Sequence, residues 1–121
     1  MLVLSPLCFS VSASGSNDSP IAIVIHGGAG TIKRELMSDE MEDRYREVLA
    51  EAIESGYQIL KNDGSSTDAV IATITLLEDS PLFNAGHGAV FNHDGNIELD
   101  ASIMQGGDLN AGAVAAVSRV K

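Results

Sequence analysis

The rhythm of apolar residues along this chain changes twice. Residues 21–25, Ile-Ala-Ile-Val-Ile, make a short, continuous, β-branched run, the pattern of a strand buried on both faces. It enters His26-Gly27-Gly28-Ala29-Gly30, whose glycines permit a tight turn or close approach by another backbone, and the polar Lys33-Arg34-Glu35 follows as a loop. Then Met41, Tyr45, Val48, Leu49, Ala52, Ile53, Gly56, Tyr57 and Leu60 recur at spacings of three and four. That stripe predicts a helix with one face on the core, and Glu42, Asp43, Arg44, Arg46, Glu47, Glu51 and Glu54 mostly on the wet side. Asp39 is its expected N-cap, with Glu42 at the reciprocal position, and Gly64 is the expected left-handed residue after its last turn. A second helix is expected from a cap at Ser65 or Ser66 to about residue 77, with Asp68 reciprocal to Ser65. Pro81 then turns the chain out of helical geometry.

Past Pro81 the signals are those of strands. Residues 89–91 and 97–99 flank Asn92-His93-Asp94-Gly95-Asn96, a hairpin connection built on an Asp-Gly pair. A further strand is expected over residues 101–104, a turn over 105–108 and a strand over 113–120. One strand, two helices and then a cluster of strands define an α+β fold, with helices packed on a mostly antiparallel sheet.

Composition narrows the partners more than it identifies them. The 121 residues suit one domain, or a piece of a larger one, and the 45% apolar content supplies material for a core. Seventeen acidic against seven basic residues give a net charge of −10, which repels nucleic acid and anionic membrane alike. Neutral or zwitterionic small molecules are the easier partners, and no segment after the leader approaches the roughly twenty apolar residues of a membrane span. Cys8, the only cysteine, makes neither an internal disulfide nor a zinc cluster.

Cys8 lies in an apolar leader, Met1-Leu2-Val3-Leu4-Ser5-Pro6-Leu7-Cys8-Phe9, followed by the small-residue site Val11-Ser12-Ala13. This reads as an export signal leading to secretion or the periplasm, with a disordered leader on a cytoplasmic protein as the alternative. Residues 1–20 are therefore assigned to signal peptide and flexible spacer, and residues 21–121 to the folded part. At the other end, Lys121 follows the small-residue run Ala111-Gly112-Ala113-Val114-Ala115-Ala116-Val117 with no turn signal behind it. The expectation is that this is the front part of an enzyme whose chemistry lies further on.

Three segments invite a chemical reading. Glycines after a buried strand, as in His26-Gly27-Gly28-Ala29-Gly30, can present backbone N–H groups to an anion or a developing oxyanion, and a purely structural turn is the competing reading. A dinucleotide loop is disfavoured, because the next helix starts too late. The irregular stretch from Leu77 to Gly88 must satisfy its own backbone groups; its carbonyls could also surround a monovalent cation, with Glu78 and Asp79 adding negative field. His87 and His93 do not form a convincing metal pair. Asp100 follows a strand, and alternation would turn its carboxylate inward, where it needs backbone N–H partners or a cation. A structural carboxylate is preferred there over a catalytic one.

Four blocks in order carry a resemblance. They are residues 23–30, Leu76-Leu77-Glu78-Asp79-Ser80-Pro81-Leu82-Phe83-Asn84-Ala85-Gly86-His87-Gly88-Ala89-Val90, Glu98-Leu99-Asp100-Ala101-Ser102-Ile103-Met104 and Gly112-Ala113-Val114-Ala115-Ala116-Val117. Together they resemble the plant-type asparaginase and isoaspartyl-peptidase family of N-terminal-nucleophile hydrolases. The resemblance implies a partial αββα sandwich, the N-terminal portion of a four-layer enzyme. It also implies a precursor that cleaves itself at a Gly–Thr bond further downstream. The freed threonine would attack the side-chain amide of asparagine or the β-linked bond of an isoaspartyl dipeptide, with its own α-amine as base.

By the same resemblance, His26, Gly27, Gly28 and Asn84 support the active site, and no catalytic residue is assigned within these 121 positions. Thr31, Thr67, Thr73 and Thr75 are read as scaffold residues. Main-chain oxygens of Leu77, Glu78, Ser80, Phe83, Ala85 and His87 would hold a structural sodium ion, and no organic cofactor is implied. The implied partners are a small amino-acid or dipeptide substrate, the C-terminal catalytic part, and a second copy in a homodimer of processed precursors. A stand-alone binding or regulatory module and a glycosylasparaginase-type amidohydrolase are the alternatives.

Overall fold

The computed structural model describes residues 20–28 and 37–118. The leader, the end of the glycine run with its charged loop, and the last three residues of the chain lie outside them. The order of elements is helix α1 (Asp39–Lys61), helix α2 (Ser66–Asp79), a short 3₁₀ turn (Gly86–Gly88), strand β1 (Leu99–Met104) and strand β2 (Ala111–Val117). This is an α+β arrangement.

Both helices form where the apolar spacing places them, and their ends refine the expected caps. Ser38, one residue before Asp39, is the N-cap of α1: its hydroxyl accepts the Met41 N–H at 3.2 Å. Glu42 pairs with Arg46 one turn later. At the other end the Asp63 N–H reaches Leu60 O at 3.2 Å and the Gly64 N–H reaches Ile59 O at 2.8 Å, which is a Schellman closure. The left-handed residue is Asp63, at φ 60°, and not Gly64. Gly64 is instead a site of close approach, since a Cβ there would lie 2.5 Å from Ile59 Cγ2. Helix α2 starts at the Ser65 cap, whose hydroxyl accepts the Asp68 N–H at 3.0 Å and donates to the Asp68 carboxylate at 2.7 Å. It runs two residues past the expected end, to Asp79, and Pro81 follows its C-cap Ser80.

The core is small and sits between the helices. Ala52, Leu77 and Phe83 are its buried centre, with Ile25, Tyr45, Val48, Leu49, Leu76 and Leu82 packed around them. Side chains of the size of Leu77 and Phe83 contribute about 1.5–3 kcal/mol each when fully buried. Gly56 and Ala69 are both buried where α1 crosses α2, and Thr73 there returns its hydroxyl to Ala69 O at 2.8 Å.

The strand expectations need correction. Residues 20–28 pair with no strand among the described residues, and only one side of them packs inward: Ile23 and Ile25 are half-buried, whereas Val24 is 91% exposed. A strand buried on both faces needs a layer on each side, and here only the helices supply one. The turn at Asn92–Asn96 forms, with Asn92 N–H to Asn96 O at 2.7 Å and Gly95 at φ 78°, but residues 89–91 do not become a strand. Residues 99 and 101–104 merge into β1, which pairs antiparallel with β2. That two-stranded sheet is exposed on both faces, so the expected packing of helices on a sheet is not found among the described residues.

Candidate active site

A cleft of about 520 Å³ opens where three pieces of chain meet. Residues 26–28 form one wall, Tyr45 of α1 and Ile74, Leu77 and Glu78 of α2 form the second, and the loop from Leu82 to Ala85 forms the third. All four residues read as active-site support, His26, Gly27, Gly28 and Asn84, line this one space. Of the six residues read as cation-binding, Leu77, Glu78, Phe83 and Ala85 line it, while Ser80 and His87 do not.

The glycine wall is shaped by backbone conformation and by contact. Gly28 has φ +110°, a conformation that L side chains rarely adopt. Its N–H donates to His26 Nδ1 at 3.2 Å, so the imidazole closes a local turn and keeps its proton on Nε2 when neutral. Gly27 is limited by space, because a Cβ there would lie 3.3 Å from Phe83 Cε1 and 3.4 Å from Leu49 Cδ2. The glycine wall is therefore built against α1 and the loop.

The loop is held by a sequence of specific bonds. Ser80 is buried, and its hydroxyl accepts the Leu82 N–H at 3.3 Å. Tyr45 donates its hydroxyl to Leu82 O at 2.8 Å and meets the Phe83 ring edge to face, with centroids 5.5 Å apart. Asn84 accepts the Val90 N–H on Oδ1 at 2.9 Å. The exposed His87 ring places Nδ1 3.2 Å from Asp79 O, which it binds by donating a proton. Tyr45 is the lining residue that the sequence pattern read as core. Its signal was a hydroxyl in an apolar stripe, which needs a partner once half-buried.

Carbonyl oxygens of the loop pack closely on the two glycines of the 3₁₀ turn. A Cβ on Gly86 would collide with Glu78 O, and one on Gly88 would collide with Phe83 O and lie 2.9 Å from Pro81 O. The absence of a side chain at these two positions is what lets the turn approach the three carbonyls. Phe83 O and Ala85 O each already accept one N–H, at 2.8 and 3.0 Å, and a carbonyl oxygen has a second lone pair. Among the described residues no group of three or more His, Cys, Asp or Glu side chains is placed to hold a metal. A set of main-chain oxygens would be hard and neutral, the donor type that suits an alkali cation better than a transition metal.

On the far side of Tyr45 and Phe83, a second space of about 340 Å³ is bordered by the Glu42–Arg46 pair. The Glu42 carboxylate holds the Arg46 guanidinium above its ordinary pKa, chiefly through their hydrogen bond. At the start of α1, hydrogen bonding to its own backbone and to Ser38 lowers the Glu40 carboxyl. Asp100 stands apart from the cleft and is exposed, not turned inward; it accepts the Ala116 N–H at 2.8 Å, a structural role. His93 lies in the exposed turn.

The cleft is lined by a carboxamide, an imidazole, a phenol and one carboxylate, and among the described residues its lining includes no serine, threonine or cysteine. Of the four threonines, Thr67, Thr73 and Thr75 belong to α2. Thr31 directly follows Gly30. It lies outside the described residues. Among the described residues, this is a site with walls and hydrogen-bonding groups.

A glycine turn, half-buried at Gly27 and exposed at Gly28, thus faces the irregular Asn-Ala-Gly loop across the cleft. The sequence profile of the asparaginase family matches residues 19–121, and the chain belongs to that family. It is 54% identical over 99 residues to an isoaspartyl peptidase of Salmonella typhimurium, a match covering 82% of this chain and 32% of that protein. A mouse isoaspartyl peptidase/L-asparaginase is 48% identical over 102 residues, covering 84% and 30%. A plant-type L-asparaginase of Pyrococcus furiosus is 48% identical over 101 residues, covering 84% and 31%. The chain thus spans about a third of the length of the curated relatives it matches.

Proposed function

We propose that this chain is the N-terminal, substrate-supporting portion of an enzyme that hydrolyses the side-chain amide of asparagine and the β-linked bond of isoaspartyl dipeptides. The observation that carries this reading is the convergence of His26, Gly27, Gly28 and Asn84 on one cleft, in a chain about half identical to isoaspartyl peptidases. The attacking group is a threonine freed by self-cleavage, supplied by the two-thirds of the relatives' length that this chain does not match. Its hydroxyl attacks the amide carbon while its α-amine takes the proton; the C–N bond then breaks as that proton passes to the leaving nitrogen, releasing ammonia from asparagine or the second residue from the dipeptide, and water hydrolyses the remaining ester to release aspartate. The walls described above orient the amide and exclude bulk water.

The complete fold in this reading is an αββα sandwich. The bare faces of the β1–β2 pair and the exposed side of Val24 support it, since surfaces this apolar gain from a covering layer. Main-chain oxygens around Gly86 and Gly88 hold a sodium ion that stiffens the loop before Asn84, and two processed copies form the working dimer. Residues 1–13 act as an export signal.

The deciding experiment is to express the full-length protein, assay it with asparagine and with β-aspartyl dipeptides, and sequence the N-termini of its subunits. Turnover with a new threonine N-terminus downstream of Lys121 is expected. An unprocessed protein that binds but never hydrolyses these compounds would sink the enzyme reading in favour of a binding module. Preference for asparagine-linked sugars would move it to the glycosylasparaginase reading.

A further inference from the structure

We infer that Tyr45 is a positioning residue for the reaction at this cleft, setting the Leu82–Asn84 segment against the Gly27–Gly28 wall. The inference rests on the proposed function. Its basis is a chain of contacts that starts on a rigid element and ends on the lining of the site. Tyr45 stands in the second turn of α1, 37 residues from the loop it binds. Its hydroxyl donates to Leu82 O at 2.8 Å and its ring meets Phe83 edge to face at 86°. Phe83 in turn abuts Gly27, where its Cε1 would stand 3.3 Å from a Cβ. The residue after Phe83 is Asn84, which lines the cleft and is anchored on its other side by the Val90 N–H.

Packing alone does not require a tyrosine here. The stripe on α1 is otherwise aliphatic or small around this point, and a leucine or phenylalanine would fill the same position. The hydroxyl supplies a directional bond to a stretch of chain that has neither helix nor strand to fix it. Tyr45 also borders both the 520 Å³ cleft and the 340 Å³ space beyond it, so it forms part of the partition between them. A side chain that ties a loop to a helix at the edge of a site governs where the lining groups stand. Misplacement of about 1 Å costs on the order of 100-fold in rate.

The test compares wild type, Tyr45→Phe and Tyr45→Leu in the full-length protein, normalised to processed enzyme and measured well below each melting temperature. Tyr45→Phe keeps the ring contact and deletes the hydroxyl. It is expected to lower kcat by roughly 10- to 100-fold with less than about a 2-fold change in KM. Amide exchange at Ala85, Gly88 and Val90 should speed up in the same variant while exchange in the middle of α1 stays unchanged. A lower melting temperature with unchanged kcat would show a merely structural role and overturn the inference. If the wild type turns over neither substrate, the proposed function fails. Exchange then decides the role of Tyr45 alone, and unaltered loop protection in Tyr45→Phe would overturn it.

Discussion

The Asp100 carboxylate accepts the Ala116 N–H at 2.8 Å where the β1–β2 pairing slips out of register. Ala101 faces Val114, but Leu99 faces Val117, so β2 holds one extra residue in this interval. Ala116 absorbs it at φ 52°, a left-handed conformation that costs a non-glycine residue on the order of 1 kcal/mol. Asp100 supplies the hydrogen bond that the ladder no longer gives.

Asp100→Ala should therefore weaken the pairing at its Leu99–Val117 end by about 1 kcal/mol, because the bond is solvent-exposed. Asp100→Asn should recover part of that loss. Amide exchange at Ala116 in the full-length protein reads it directly, and unchanged protection in Asp100→Ala would remove the carboxylate from the account. Ala116→Gly should act in the opposite sense and relieve the left-handed strain.

Gly56 packs tightly where α1 meets α2. A Cβ on it would lie 2.5 Å from Ile23 Cδ1 and 3.0 Å from Ala69 O, and would collide with Thr73 Oγ1. Ile23 has a flexible tip, but the Ala69 carbonyl is backbone, so the helices must move apart. Gly56→Ala should cost about 1–3 kcal/mol despite its gain in helix propensity. A urea midpoint equal to or above that of wild type would show that the crossing has slack.

Much of this was legible in the sequence, for physical reasons that differ by element. The three-and-four spacing from Met41 to Leu60 specified α1 because helical periodicity persists over many turns. The Ser65 cap and Pro81 bracketed α2 for a similar local reason. The cap of α1 was misread by one residue, as Ser38 and Asp39 are both good caps and only geometry separates them. Residues 21–25 read as a buried strand because pattern reports composition, whereas burial depends on what lies over the outer face. The convergence of His26 with Asn84 was reachable only through resemblance, since 58 residues and two helices separate them. Tyr45 was the opposite case. Its spacing explained it so well as core that the hydroxyl went unread.

The loop after α2 should respond to sodium if its carbonyls hold the ion. Full-length protein is expected to melt higher in sodium chloride than in choline chloride at equal ionic strength. A ligand at 100 times its dissociation constant adds about 2.7 kcal/mol. Gly88→Ala should abolish that difference, because its Cβ would intrude on Phe83 O and Pro81 O. Equal melting of wild type in the two salts would leave the loop as a hydrogen-bonded structure with no ion. A surviving sodium effect in Gly88→Ala would place the ion elsewhere.

Self-cleavage separates two threonine assignments that sequence alone leaves close together. Gly30–Thr31 is the one Gly–Thr step in the chain, yet cleavage there would cut the segment carrying His26, Gly27 and Gly28 away from α1. Those three residues would then be held only by the contacts of Ile23, Ile25 and Gly27 with the helices and Phe83. Thr31→Ala in the full-length precursor should accordingly process and turn over within about 2-fold of wild type, since a downstream nucleophile leaves Thr31 no covalent part in either step. Asn84→Ala should slow both processing and turnover by at least roughly 10-fold. It removes a cleft-lining amide and leaves the Val90 N–H without its acceptor, so the loop that forms this wall loses an anchor. Blocked processing in Thr31→Ala, or a subunit beginning at Thr31, would overturn the downstream nucleophile. Normal cleavage and normal turnover in Asn84→Ala would take Asn84 out of the site.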